Sequence, residues 1–220
     1  MKISQKPLVL IKYGGNAMLS EELKKEVIDR ILHLHRQGFS VVLAHGGGPF
    51  IRRLLEVAGI PSEFVGGHRK TTPEALKYIE MALKGEVNGS LVNLLNRTGL
   101  KAVGLSGKDG ATIRVRKRYH LSRENGREER HDLGRVGDIE SVDTSLIELL
   151  LQEGYVPVIT CIASDEHGDD FNVNGDMFAG HIAGALGAAH YLVLTDVDGL
   201  MRDVDRPDSL IEHLRVDEID

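Results

Sequence analysis

The chain has no tryptophan and a single cysteine, Cys161, in 220 residues. One thiol excludes a disulfide framework within the chain and a cysteine-based zinc cluster, and it fits a reducing, cytoplasmic location. No apolar run approaches the ~20 residues that cross a bilayer, so no membrane association is expected. No charged n-region followed by an apolar h-region opens the chain. The net charge is −6 and only five phenylalanines and five tyrosines occur, which argues against a nucleic-acid partner. Ten histidines are present, without His-Glu-x-x-His or similar ligand spacing. His33 and His35 lie two apart on one expected helix and so face different ways; no metal site is expected. The Walker sequence Gly-x-x-x-x-Gly-Lys-Ser/Thr and the dinucleotide fingerprint Gly-x-Gly-x-x-Gly are both missing.

What is present is a 41% hydrophobic chain, enough for one large α/β domain or two closely packed lobes. Its first apolar run, residues 8–12, ends in Lys12 and is followed by Gly14 and Gly15. It reads as a buried strand with an ammonium at its carboxyl end, where open α/β sheets bind ligands. Glycines there let backbone N–H groups approach a phosphoryl group beside the point charge. A second run, residues 40–44, ends in His45-Gly46-Gly47-Gly48-Pro49, and an amphipathic segment over residues 50–57 follows. Exposed N–H groups at a helix start attract anions. Two glycine-ended strands close in sequence make a paired anion site the favoured reading over two ordinary turns.

Strand-like runs alternate with helix-like ones along the rest of the chain. A helix over residues 20–37 has Ser20 as N-cap, an apolar stripe of Leu23, Val27, Ile31 and Leu34, and Gly38 at its end. Pro73 opens another helix behind Thr72, running through Leu76, Ile79 and Leu83. Further helices are expected over residues 50–58, 87–98, 144–153 and 176–186, and strands over residues 101–105, 156–161 and 191–195. The alternation predicts a mainly parallel sheet covered on both faces. Residues 112–120 instead alternate and are rich in arginine, and Asn125-Gly126 supplies a turn. A solvated antiparallel hairpin projecting from the sheet is expected there.

Three loops carry further chemistry. Arg69, in Gly67-His68-Arg69-Lys70, either clamps a carboxylate with two hydrogen bonds or caps a neighbouring helix end. In Asn172-Val173-Asn174-Gly175-Asp176, Asp176 either caps the next helix or orients lysines around a transferring group. Asn172 and Asn174 would then donate to an anionic substrate. Thr195-Asp196-Val197-Asp198-Gly199-Leu200 is either a simple turn or a nucleotide-contacting loop; its Asp-x-Asp-Gly spacing is too short for an EF-hand.

Taken in order, these segments resemble the N-acetylglutamate kinases of the amino-acid kinase superfamily. Val103-Gly104-Leu105-Ser106-Gly107-Lys108-Asp109-Gly110 and Asp132-Leu133-Gly134-Arg135-Val136-Gly137 extend the match over nearly the whole chain. The resemblance implies an α/β three-layer sandwich around a mainly parallel open sheet. It divides the single domain, residues 1–220, into an acyl-amino-acid lobe to about residue 170 and the start of a nucleotide lobe after it. It implies transfer of the ATP γ-phosphoryl group, with Mg2+, to the side-chain carboxylate of N-acetyl-L-glutamate, the second step of arginine biosynthesis through acetylated intermediates. Lys12 matches the lysine that neutralises the transferring group, and Asp176 the carboxylate that organises the catalytic lysines. Gly47 and Gly48 match backbone donors to the substrate, Arg69 and Asn172 its α-carboxylate clamp, with Asn174 beside them. Gly14, Gly15, Asp196, Val197, Asp198, Gly199, Leu200 and Met201 fall on nucleotide-contacting positions.

The sequence departs from the family pattern in the substrate loop, where Gly-Leu-Arg-Val-Thr-Asp becomes Gly67-His68-Arg69-Lys70-Thr71-Thr72, and at Gly175, where alanine is usual. Family members continue beyond the position of Asp220 into a Gly-Gly-Met-x-x-Lys-type segment with a second catalytic lysine. Residues 212–220 read as a helix cut mid-pattern, so a continuation is expected. Few residues precede the first strand, which implies a homodimer without arginine feedback. Two other readings stay open: a kinase for a carrier-linked aminoadipate or glutamate, and a non-catalytic amino-acid or nucleotide sensor.

Overall fold

The computed structural model describes residues 6–220 except 125–126, 196, 198, 204, 216 and 218–220. Five strands form a parallel sheet: β1 (Leu8–Tyr13), β2 (Ser40–His45), β5 (Lys101–Ser106), β8 (Tyr155–Thr160) and β11 (His190–Leu194). Their order is β11-β1-β2-β8-β5. β1 pairs with both β2 and β11 in register, Lys12 lying between Ala44 and Val193.

Successive side chains on a strand face opposite ways, and the two cores divide accordingly. Val9, Ile11, Val41 and Leu43 pack on one side with Ile28 and Ile31 of α1 (Glu21–Arg36) and Leu91 and Leu95 of α4 (Gly89–Arg97). Leu10, Val42 and Ala44 pack on the other with Ile51 and Leu55 of α2 (Gly48–Val57), Ile79 of α3 (Pro73–Glu80), Ile147 of α5 (Ser145–Gln152) and Phe178 and Ile182 of α6 (Gly175–Ala185). β1, β2 and β8 are largely buried apolar runs because both faces are covered there, whereas β11, at the sheet edge, stays largely exposed.

The expected helix starts are present. Ser20 Oγ accepts from Leu23 N at 3.2 Å, and Thr72 Oγ1 from Ala75 N at 3.0 Å. Gly38, with φ +92°, follows α1. The buried stripe of α1 is centred on Ile28 and Ile31, while Leu23 stays 51% exposed. The first turn therefore contributes nothing to the core.

The helices expected over residues 73–83 and 87–98 are one continuous run, because a π-helical stretch, Met81–Asn88, joins α3 to α4. A wider turn shifts the apolar phase, which reads in the sequence as an ending. Residues 211–215 are not helical, against expectation. Leu210 and Leu214 are 41% and 42% exposed, and a short helix without a packed face is marginal.

The hairpin is longer than expected. β6 (Ile113–Glu124) and β7 (Arg127–Val142) pair antiparallel; the expected turn, 125–126, lies outside the described residues. It does more than project into solvent. With β9 (Ile162–Ser164) and β10 (Asp170–Val173) it closes a four-strand ring in the order β10-β7-β6-β9. β7 pairs with β10 so that Val136 lies beside Asn172. A small hairpin, β3 (Phe64–Val65) and β4 (His68–Arg69), carries the Gly66-Gly67 turn. Among the described residues no helix is long and apolar enough to cross a membrane.

Candidate active site

β1 and β2 both end at one cleft of about 380 Å3. Lys12 is the penultimate residue of β1 and is mostly buried, its side chain 13% exposed. Its Nζ lies 2.8 Å from Asp176 Oδ1, which is 62% exposed. Asp176 is in the first turn of α6, where a negative charge suits the helix dipole. It is not the cap. Asn174 takes that place, its Oδ1 accepting from Asp176 N at 2.9 Å and Met177 N at 3.1 Å. This leaves Asp176 for Lys12 and leaves the Asn174 amide nitrogen beside the cleft, which Asn174 lines.

The two glycine loops meet each other. A Cβ on Gly15 would stand 2.8 Å from Gly48 N and from Pro49 Cδ, and one on Gly14 would stand 2.8 Å from Leu194 O. Glycine is required at both places for close approach rather than for a special φ. Gly14 N donates to Leu194 O at 2.9 Å, so this N–H extends the sheet and does not face a ligand, against expectation. The loop after β2 stays open: Gly46, Gly47 and Gly48 line the cleft, and Gly47 precedes α2 as its N-cap.

Arg69 comes from β4 and is 8% exposed. Its guanidinium lies 4.6 Å from the Phe64 ring centroid and donates from Nη1 to Ser62 Oγ. It caps no helix, and among the described residues no carboxylate pairs with it. Burial, then the nearby Arg52 charge, pulls its pKa down. Both effects disfavour the cation, and an incoming anion would relieve them. Asn172, on β10, completes this end of the cleft.

Of the residues expected in the site, Lys12, Gly14, Gly15, Gly47, Gly48, Arg69, Asn172, Asn174 and Asp176 all line this cleft. Val197, Gly199, Leu200 and Met201 do not. Val197 and Leu200 are 57% and 58% exposed, and Met201 bridges to Leu210. Asp196 and Asp198 lie outside the described residues, although the preceding Thr195 reaches the cleft.

The sequence reading missed Arg52, which lines the cleft from the second turn of α2. Its signal was its place four residues after Gly48, on a helix that opens from an anion-suited loop. It also missed His45, 1% exposed behind the loop, whose imidazole burial pushes down to about 4. His68 lines the cleft as well; burial and then the Arg118 charge hold its pKa below the ordinary value. Lys70 is turned to Glu63, its Nζ 3.2 Å from Oε2. No group of histidine, cysteine and carboxylate side chains among the described residues forms a metal cluster.

Known proteins resemble this chain in sequence and in fold. The model of the Amino acid kinase family matches residues 7–220. An acetylglutamate kinase of Desulfitobacterium hafniense is 45% identical over 212 residues, covering 96% of this chain and 71% of its own. An acetylglutamate kinase of Methanococcus maripaludis is 42% identical over 212 residues, covering 96% and 72%. A crystal structure from Streptococcus mutans superposes with a TM-score of 0.74 at 26% identity, over 89% of this chain and 75% of that one. The chain belongs to the amino acid kinase family, with the acetylglutamate kinases.

Proposed function

We propose that this kinase transfers the γ-phosphoryl group of ATP, bound with Mg2+, to the side-chain carboxylate of N-acetyl-L-glutamate. The product is N-acetyl-L-glutamyl 5-phosphate, and the step belongs to arginine biosynthesis. One observation carries the reading. A lysine–carboxylate pair, Lys12–Asp176 at 2.8 Å, shares a cleft with a buried arginine that no carboxylate of the described residues neutralises. Arg69 and Asn172 would hold the α-carboxylate of the acceptor. The Gly47 and Gly48 N–H groups and the Asn174 amide would meet its remaining oxygens. Lys12 would face the charge that develops on the transferring phosphoryl group, with Asp176 fixing its position.

No general base is needed, because a carboxylate nucleophile is already ionised at neutral pH. Phosphoryl transfer then depends on alignment and charge neutralisation. Residues 196–201 would contact the nucleotide. The single thiol, Cys161, is buried, in keeping with a cytoplasmic enzyme.

A carrier-linked acidic substrate is the second reading, favoured by Arg52, which lines the cleft without a carboxylate partner among the described residues. Titration calorimetry with N-acetylglutamate on wild type and Arg69→Ala tests the assignment. Losing one side of a buried charge pair should weaken the acceptor by about 2–4 kcal/mol and leave ATP affinity within a few-fold. A larger loss for ATP would place Arg69 at the phosphates instead.

A further inference from the structure

Behind the glycine loop stands a second layer of side chains that does not touch the cleft. Asn88, the last residue of the π-helical stretch, is 2% exposed, and His45 is 1% exposed. Asn88 Nδ2 lies 2.9 Å from the Val158 carbonyl oxygen and 2.9 Å from His45 Nε2. A carbonyl only accepts, so the atom facing it is the amide nitrogen, and an amide nitrogen only donates. His45 Nε2 therefore carries the lone pair, and the imidazole proton sits on Nδ1. Nδ1 donates to the Gly46 carbonyl oxygen at 2.9 Å.

The peptide after Gly46 is trans, so its C=O and N–H point in opposite directions. Drawing the Gly46 carbonyl toward His45 turns the Gly47 N–H away from it. That N–H has no hydrogen-bond partner among the described residues, and Gly46, Gly47 and Gly48 line the cleft.

We infer that Asn88 is a positioning residue: acting through His45, it fixes the plane of the Gly46–Gly47 peptide and so presents the Gly47 N–H to the acceptor in the cleft. Two features of packing support this. The same π-helical stretch presses on the loop directly, since a Cβ on Gly47 would meet Leu83 Cδ2 at 2.8 Å and Val87 Cγ2 at 3.3 Å. Room for the Asn88 amide is made by Gly104 on β5, where a Cβ would stand 2.1 Å from Asn88 Oδ1. A wide turn in a helix often marks a functional site; here it brings Leu83, Val87 and Asn88 to bear on one loop. His45 also stays neutral at physiological pH, because burial holds its imidazole down, so the relay does not switch with ordinary changes of pH. The inference rests on the kinase reading only for which ligand the Gly47 N–H meets.

The test combines kinetics with nitrogen-15 NMR of the imidazole. In the wild-type protein without substrates, His45 should show a protonated Nδ1 and a bare Nε2 at neutral pH; a proton on Nε2 would overturn the relay whatever the substrate. Asn88→Leu should lower kcat/KM for N-acetylglutamate about tenfold or more, as expected for a misaimed donor, with KM for ATP within twofold. His45→Asn keeps an N–H where Nδ1 stood and should retain about tenfold more activity than His45→Leu. Equal losses on both substrates, or no difference between the two His45 variants, would make the layer structural only and refute the inference. Wild type inactive on N-acetylglutamate would instead overturn the proposed acceptor, while the NMR result still decides the relay.

Discussion

Lys12 lines the cleft and pairs there with Asp176, the one carboxylate within ion-pair distance of it among the described residues. A charge so placed acts on the transition state more than on ground-state binding. Lys12→Ala should therefore lower kcat by about 10²–10³-fold and leave KM for either substrate within a few-fold, as steady-state ADP release would report. An unchanged kcat would remove Lys12 from the reaction. His45 gives a second prediction at this scale. Burial lowers its folded-state pKa from 6.5 to about 4, so the unfolded chain takes up the proton more readily. The stability contribution is complete above about pH 6.5 and is lost as pH falls toward 4, by up to about 3 kcal/mol at ~1.4 kcal/mol per unit. Melting temperatures from pH 7 to 4.5 should fall less steeply for His45→Asn than for wild type; parallel curves would show that another group sets the acid limit.

At the scale of elements, Asn174 has two jobs that substitution separates. Its Oδ1 caps α6, and its amide nitrogen is left beside the cleft. Asn174→Asp keeps an acceptor and adds charge at the helix start, so stability should hold while activity falls. Asn174→Ala should lose about 1 kcal/mol of stability as well as activity. Denaturant melts and kcat/KM on both variants check this; equal stability loss in the two would contradict it. The strands of the main sheet and the caps at Ser20 and Thr72 were legible in the sequence because buried parallel strands are apolar runs and caps are local chemistry. The Met81–Asn88 stretch was not, because one wider turn resets the 3.6-residue phase. The cap at Asn174 was not singled out, and Asp176 stood open between cap and lysine partner because both residue types cap helices well; the 2.8 Å contact to Lys12 separates their roles.

Over the whole molecule, parallel pairing brings chemistry from distant segments to one place. β1 and β2 lie side by side with Tyr13 beside His45, so the loops after them must adjoin, and the motifs at Lys12 and at Gly46-Gly47-Gly48 were readable as one site. Asn172 arrives by a different route, through the pairing of β10 with β7. That contact depends on the closed ring of β6, β7, β9 and β10. No local pattern in the hairpin announces it; alternation and arginines read as a solvated arm. Arg52 escaped notice for a similar reason, since an exposed arginine on an amphipathic helix is ordinary until the cleft is seen in front of it.

The cleft also sets substrate choice. Among the described residues that line it, Asp176 is the one acidic side chain and is engaged by Lys12, while Asn172 and Asn174 offer amides. A free ammonium would find no dedicated partner among these residues, and burying one unpaired costs several kcal/mol, whereas an acetamido group pairs with amides. The most direct measurement of the central claim is kcat/KM, by coupled ADP release, for N-acetyl-L-glutamate, L-glutamate, N-acetyl-L-aspartate and a carrier-linked glutamate side by side. N-acetylglutamate should exceed glutamate by about 10²-fold or more and be the best of the four. Equal values for glutamate and N-acetylglutamate, or turnover of the carrier-linked substrate alone, would contradict the account.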